Sequence, residues 1–389
     1  MAEAYSRLAW AAIDLEAVGH NVRVLSEVVA PAAVCAVVKA DGYGHGAVPV
    51  ARAALEAGAR WLGVAVVEEG VELRDAGIEA PILLLSEPTA SAIDWAVFHR
   101  ITPVVYTPEG VEAAEAAAER HRRAVGVHLK VDTGMHRVGA RPEDALALAK
   151  SVVAARNLRL EGLMTHLAAA EDPAHDEFTA GQVARFEEVR DELATEGIVP
   201  DLLHAANSAG AVAHPSARYD MVRCGIAVYG LAPGPALAGR VPLRPAMAVT
   251  ARVSFVREVE AGEAVSYGLR YRCEKRTTIA VVPVGYADGI PRSLGAVGGE
   301  VLVGGRRCPI AGTVTMDQTL IDCGPGAPVY VGDEVVLLGR QGDEEITAEE
   351  WGEKLGTINY EVVTRIGPRL HRAYDLTSGS AVQAELGDL

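Results

Sequence analysis

Aromatic residues make up only 5% of the 389-residue chain, although 50% of it is hydrophobic. The core is therefore expected to be aliphatic, built from Ala, Val, Leu and Ile. No apolar run approaches the ~18 residues that a membrane span requires, and MAEAYSRLAW at the N-terminus shows no basic stretch followed by an apolar core. No Lys/Arg-rich run interrupts a formal net charge of -16, which argues against nucleic acid and anionic membranes as partners. A cytoplasmic protein is the expectation. Cysteine is scarce too: the five at 35, 224, 273, 308 and 323 are odd in number and scattered, without the spacing of a zinc site or a redox pair. Reduced thiols and no metal follow. Only five of the 36 basic residues are lysines, Lys39, Lys130, Lys150, Lys275 and Lys354.

One of those lysines is oddly placed. Lys39 ends the apolar run AVCAVVK and is followed by ADGYGHG, whose glycines break any regular element. A buried lysine is costly unless it is paired, neutralised or chemically used, and the alternative is that it snorkels from the strand end into solvent.

Between about residues 30 and 230, eight short β-branched or Leu-rich runs alternate with Ala/Glu/Arg-rich segments of helical period. The runs are CAVVK, WLGVAV, PILLLS, ITPVVY, VGVHLKVD, LEGLMTH, LLHAAN and MVRCGIAVYG. This is the arithmetic of an α/β chain forming a (β/α)8 barrel over residues 14–240. Gly42, Gly44 and Gly46 run G-x-G-x-G, which does not fit a dinucleotide fingerprint. Beyond Pro242 and Pro245, period-two segments such as MAVTARVSFVREV and DEVVLLGR predict a mostly-β domain over 241–389. Residues 1–13 are a candidate strand for that domain, and TAEEWGEKLG is a helix with Thr347 at its N-cap.

A barrel carries its chemistry at the C-terminal ends of its strands. Those ends supply Lys39, Lys130 with Asp132 and the following Arg137, His166, Asn207 with Ser208, and Arg223 with Gly225. HAANSAG and VRCGIAVYG, on the seventh and eighth strands, suit a phosphate, with Gly225 freeing backbone amides; ordinary helix capping by Asn207 or Ser208 is the alternative. A lysine facing a phosphate site on one rim suggests a Schiff base to pyridoxal phosphate, which removes the buried-charge problem.

AVVKADGYGHGA resembles the cofactor attachment segment of the alanine racemases. HLKVDTGMHRVG, HAANSAG, VRCGIAVYG, AVSYGLRY, GTVTMDQ and INYEVVTR are similar to further segments of that family, in the same order, over about residues 14–369. The resemblance implies a pyridoxal 5'-phosphate enzyme that interconverts L- and D-alanine with two bases, supplying D-alanine for peptidoglycan. It makes Lys39 the base on the D side and Tyr267 the base on the L side, reaching the site from the partner of a homodimer. By the same resemblance Tyr43, Ser208, Gly225, Ile226 and Tyr360 bind the phosphate. Arg223, with His166 behind it, faces the pyridine nitrogen; Arg137 and the backbone amide of Met316 of the partner subunit hold the substrate carboxylate.

Each residue also has a plainer reading: Tyr43 as a turn residue, His166 as a packed histidine, Tyr267 as a solvated strand tyrosine. Lys130 is carbamylated in some relatives of this kind, and an ion pair with Asp132 is the simpler account. Two departures stand out. Thr313 replaces an arginine usual near the substrate corridor, where Arg292, Asp172 and Tyr286 remain, and His371 replaces a proline. Rival functions are a broader alanine/serine racemase, a pyridoxal-phosphate decarboxylase and a non-catalytic carrier of the cofactor. Neither Cys273 nor Cys308 has the acidic setting of a decarboxylase's cysteine, and a carrier needs no second base.

Overall fold

The computed structural model describes residues 8–374. Residues 16–245 form one compact unit; the described residues up to 15 and from 246 onward form the other.

In the first unit eight parallel strands alternate with helices: Ala33–Val37, Trp61–Val64, Ile82–Leu84, Val104–Val105, Val125–Lys130, Leu158–Met164, Leu202–His204 and Met221–Cys224. Pairing runs third, second, first, eighth in one half and fourth, fifth, sixth, seventh in the other. The halves join where the Leu84 N–H donates to the Thr102 carbonyl and the Arg223 N–H to the Ala206 carbonyl. The sheet thus closes into a (β/α)8 barrel.

Alternation along the fifth strand divides its side chains between two environments. Val127, Leu129 and Val131 pack in a buried cluster with Ala114, Ala118, Ala145, Leu148 and Phe186 of the outer helices. His128 takes the opposite face, against Trp61 and His204. Cys35, Leu83, Val104, Met164 and Met221, drawn from five strands, form a further buried cluster. Outside, Pro108 and Pro142 open two helices, at positions where a missing N–H costs nothing. The helix Leu15–Val29 buries Val18, Val22, Leu25 and Val29 on one face, and its Asn21 binds the Val228 and Arg244 carbonyls and the Arg244 amide.

In the second unit, Ala9–Ile13 pairs antiparallel with Met247–Arg252 and parallel with His371–Tyr374. This mixed sheet continues through Glu334–Gln341, Glu300–Val303 and Arg306–Pro309. A second sheet joins Phe255–Val259, Thr277–Val282 and Thr319–Asp322, and the ribbon of Ala264–Val265 with Tyr271–Arg272 carries a turn at its tip. The helix Ala348–Leu355 starts where the Thr347 side chain accepts from the Glu350 amide. INYEVVT contributes a short helix, Asn359–Thr364, where no helix was expected. All five cysteines are buried thiols. Among the described residues, no helix is long and apolar enough to cross a membrane.

Candidate active site

The first barrel strand stops at Val37, two residues before Lys39, and the chain then enters a left-handed turn. Ala40, Asp41, Gly42 and Tyr43 have φ of 52°, 50°, 59° and 54°. For residues other than glycine this conformation costs about 1–2 kcal/mol each, so the segment needs bracing. Glu69 supplies part of it: its Oε1 accepts from the Ala40 amide at 2.7 Å and its Oε2 from the Ala65 amide at 2.7 Å. Asp41 Oδ1 accepts from the Ala47 amide at 2.9 Å. The stretch after Lys39, whose glycines interrupt regular structure, is pinned by these bonds, and it ties the lysine to the loop after the second strand.

Lys130 and His166 each lie within electrostatic reach of Lys39, Arg137 and Arg223. Burial, then the Arg137 charge, lowers the pKa of the Lys39 amine, with Glu69 opposing. Burial pushes Lys130 down to about 7, aided by Arg223, Arg137 and Lys39 and opposed by Asp132. The pKa of His166 is held well below its ordinary value by burial and by Arg223, Arg137, Lys130 and Lys39. Lys130 Nζ donates to the Leu85 carbonyl at 3.0 Å, while Asp132 turns into the following loop and accepts from the Gly134 and His136 amides.

Arg223 is buried and spends both terminal nitrogens on the protein. Its Nη1 donates to His204 Nδ1 at 2.9 Å and to the His204 carbonyl, and its Nη2 to the Thr165 and Ala205 carbonyls and to His166 Nδ1 at 3.2 Å. Nε–H is thus the donor left over for a ligand. Burial lowers the guanidinium to about 10, which leaves it charged at neutral pH.

Tyr43, Ser208 and Gly225 come together beside this group. A Cβ on Gly225 would stand 2.3 Å from the Tyr43 hydroxyl, so only glycine permits that approach. Ser208 Oγ accepts from the Gly225 amide at 2.9 Å and the Ala227 amide at 3.4 Å; the Gly225 amide, expected to be free, is held by that hydroxyl. Ile226 opens the turn that follows. Asn207 caps the helix Ser208–Ala213 through the Gly210 amide and donates to the Leu167 carbonyl, the plainer of its two readings. Burial raises Tyr43 to about 12, so its hydroxyl stays a neutral donor. The Tyr43 and Ser208 hydroxyls, with the clearance at Gly225 and the neighbouring basic groups, fit a phosphorylated, anionic cofactor.

Tyr267, Met316 and Tyr360 belong to the second unit. Tyr267 sits in the ribbon turn between Ser266, φ 64°, and Gly268, φ 77°, and is 70% exposed. Thr313 Oγ1 donates to the Tyr267 carbonyl at 3.1 Å, and Ser266 Oγ donates to the Thr313 carbonyl. The residue that departs from the family pattern therefore holds the backbone of the turn. Met316 is 53% exposed, and Tyr360 lies on the helix Asn359–Thr364. Nearby, the Tyr286 and Ala287 amides donate to the Thr315 and Met316 carbonyls. Of the other residues expected near a substrate corridor, Asp172 caps a short turn through the Ala174 amide. Three residues that brace this site are absent from the sequence-based set, Glu69, His204 and Thr165; the VVEEG context of Glu69 resembles any solvated helix face.

The alanine racemase N-terminal domain family matches residues 13–233, and the alanine racemase C-terminal domain family residues 246–374. The alanine racemase of Symbiobacterium thermophilum is 48% identical over 368 residues, covering 95% of this chain and 97% of that protein. That of Thermobifida fusca is 45% identical over 378 residues, covering 95% and 98%. Among solved structures, the alanine racemase of Streptomyces coelicolor A3(2) matches with a TM-score of 0.91 at 40% identity, over 97% of this chain and all of that one. Both domains match in the same order along nearly the full length, and so the chain belongs to the alanine racemase family.

Proposed function

We propose that the protein interconverts L-alanine and D-alanine as a homodimer, with pyridoxal 5'-phosphate held at the barrel rim and two bases, Lys39 and Tyr267 of the partner subunit. The observation that carries this reading is the concentration of basic groups at one rim, Lys39, Lys130, Arg137 and Arg223, beside the cradle of Tyr43, Ser208, Gly225 and Ile226. Such a site calls for anions, and a phosphate and a substrate carboxylate supply them.

When bound, the cofactor withdraws electrons from the substrate Cα and makes its proton removable. The protein's own groups do the rest. Arg223 would present its Nε–H to the ring nitrogen, held in place by its five contacts to His166, His204, Thr165 and Ala205. Because the guanidinium keeps its proton, that nitrogen receives a hydrogen bond rather than a proton. Tyr43, Ser208, Gly225 and Ile226, with Tyr360, would hold the phosphate, and Arg137 with the backbone amide of the partner subunit's Met316 the carboxylate. A lowered pKa increases the neutral fraction of the Lys39 amine, the form able to accept a proton. The exposure of Tyr267, Leu269, Met316 and Ile358 in the single chain suits residues that are covered on dimerisation.

The test is to incubate the purified protein with L-alanine in deuterated water and follow D-alanine and Cα deuterium, beside Lys39→Ala and Tyr267→Phe. Wild type should racemise, and each variant should lose nearly all turnover. Racemisation at the wild-type rate in both variants would refute the two-base assignment, and carbon dioxide release would favour a decarboxylase. Sedimentation of the wild type should give a dimer.

A further inference from the structure

The interior of the barrel contains a chain of polar groups that the racemisation chemistry does not by itself require. From Arg223 it runs to His204, whose Nδ1 is 2.9 Å from Arg223 Nη1. From His204 it continues to His128, with His204 Nε2 2.8 Å from His128 Nδ1. It ends near Glu161, whose Oε2 is 3.7 Å from His128 Nε2, long for a hydrogen bond but close for a charge and a dipole. Both histidines are 0% exposed.

The direction of this chain follows from its ends. Arginine can only donate and an ionised carboxylate can only accept. His204 Nδ1 must therefore offer its lone pair to Arg223, which puts the His204 proton on Nε2. That N–H donates to His128 Nδ1, which puts the His128 proton on Nε2, facing Glu161. A second proton on either ring would set N–H against N–H. Burial, which lowers both pKa values, favours the neutral rings in the same sense.

Two glycines clear the path. A Cβ on Gly162 would stand 2.4 Å from His128 Nδ1, and one on Gly126 would stand 2.3 Å from Glu161 Oε2. Both sit within strands, where glycine normally weakens the sheet. Their presence is explained by the space the imidazole and the carboxylate need.

We propose that His204, His128 and Glu161 form a polarised relay that orients Arg223 toward the cofactor ring, with His128 and Glu161 as positioning residues rather than catalytic ones. The proposal rests on the cofactor reading given above. The carboxylate polarises His128, which strengthens the acceptor presented to His204 and, through it, the one presented to Arg223. Arg223 is then held by oriented side chains as well as by backbone carbonyls.

The direct test is long-range nitrogen–proton correlation NMR on the holoenzyme labelled with 15N-histidine. The expected result is that His128 and His204 are both neutral Nε2–H tautomers. Either ring found as the Nδ1–H tautomer or doubly protonated would overturn the relay, whether or not the protein racemises alanine, so this measurement stands apart from the assay of the activity. His128→Phe keeps an aromatic ring but removes the acceptor. It should abolish the hydrogen-bonded His204 Nε2–H resonance and lower kcat about tenfold at unchanged KM. His128→Gln, whose carbonyl oxygen can still accept from His204, should recover most of that rate. Equal rates and equal His204 resonances in wild type and His128→Phe would refute the proposal, as would a His128→Gln variant no better than His128→Phe. If His128→Phe does not fold, the tautomers of the wild type still decide.

Discussion

Lys130 should carry a carbamate, and removing carbon dioxide or the lysine should cost activity. Its ammonium is buried, 4% exposed, among Arg223, Arg137 and Lys39, and its pKa falls to about 7. At pH 8 such an amine is about 90% neutral, whereas an ordinary lysine is less than about 1% neutral. The neutral amine attacks carbon dioxide: a nitrogen–carbon bond forms, one proton leaves to solvent, and a cation's position becomes an anion's. Repulsion from three neighbouring cations turns into attraction, and Arg137 gains a partner that Asp132 does not provide, since that carboxylate accepts from the Gly134 and His136 amides.

The magnitude follows from the same shift. Lowering the pKa from 10.5 to about 7 disfavours the folded ammonium by roughly 5 kcal/mol. Because the folded amine is the more acidic, the unfolded chain binds more protons between those values. Without carbon dioxide, stability should rise from about pH 7 to 10.5 and be lost in the other direction, with no further loss from this residue below about pH 7. Bicarbonate should raise the thermal midpoint near pH 8. In 13C-bicarbonate, the carbon spectrum should show a protein-bound carbamate resonance that Lys130→Ala lacks, and that variant should lose about tenfold in kcat/KM through a displaced Arg137. The absence of any bicarbonate-dependent resonance, together with an amine that titrates near 10.5 in the folded protein, would refute the reasoning.

Glu69→Ala removes two short hydrogen bonds to the Ala40 and Ala65 amides and should cost about 2–3 kcal/mol in urea unfolding. Since Glu69 raises the Lys39 pKa, its loss should also move the acid limb of the kcat/KM profile to lower pH; a limb that moves upward would contradict this electrostatic assignment. Gly225→Ala sets a methyl group 2.3 Å from the Tyr43 hydroxyl. The expected result is a folded protein that loses cofactor absorbance on gel filtration, with affinity about tenfold weaker or worse, and wild-type retention would count against the cradle.

The barrel was readable because its signals are local. A run such as VGVHLKVD assigns Val127, Leu129 and Val131 to one face and His128 and Lys130 to the other through period two alone, and the structure packs the valines and the leucine against the helices. The position of Lys39 was readable for a related reason: a charge at the end of an apolar run is anomalous within a window of ten residues. Conformation was harder to see. Ala40, Asp41 and Tyr43 have no intrinsic preference for φ near +50°, and their turn is held by Glu69, which lies 29 residues beyond Ala40.

The least legible part was the pairing of inward-facing residues across the barrel. Period two states that His128 faces in, but not that it meets His204, which is 76 residues away. That meeting depends on ring closure, on the register of the fifth, sixth and seventh strands, and on the irregularity between Val127 and His128. Glycines are the one sequence trace such a meeting leaves. Gly126 and Gly162 have no unusual φ to justify them, and a strand glycine without one points to a group that needs the Cβ volume. Read in that way, the two residues mark the route from Glu161 to Arg223. The same argument extends to Gly225, where the space a side chain would occupy belongs to the Tyr43 hydroxyl.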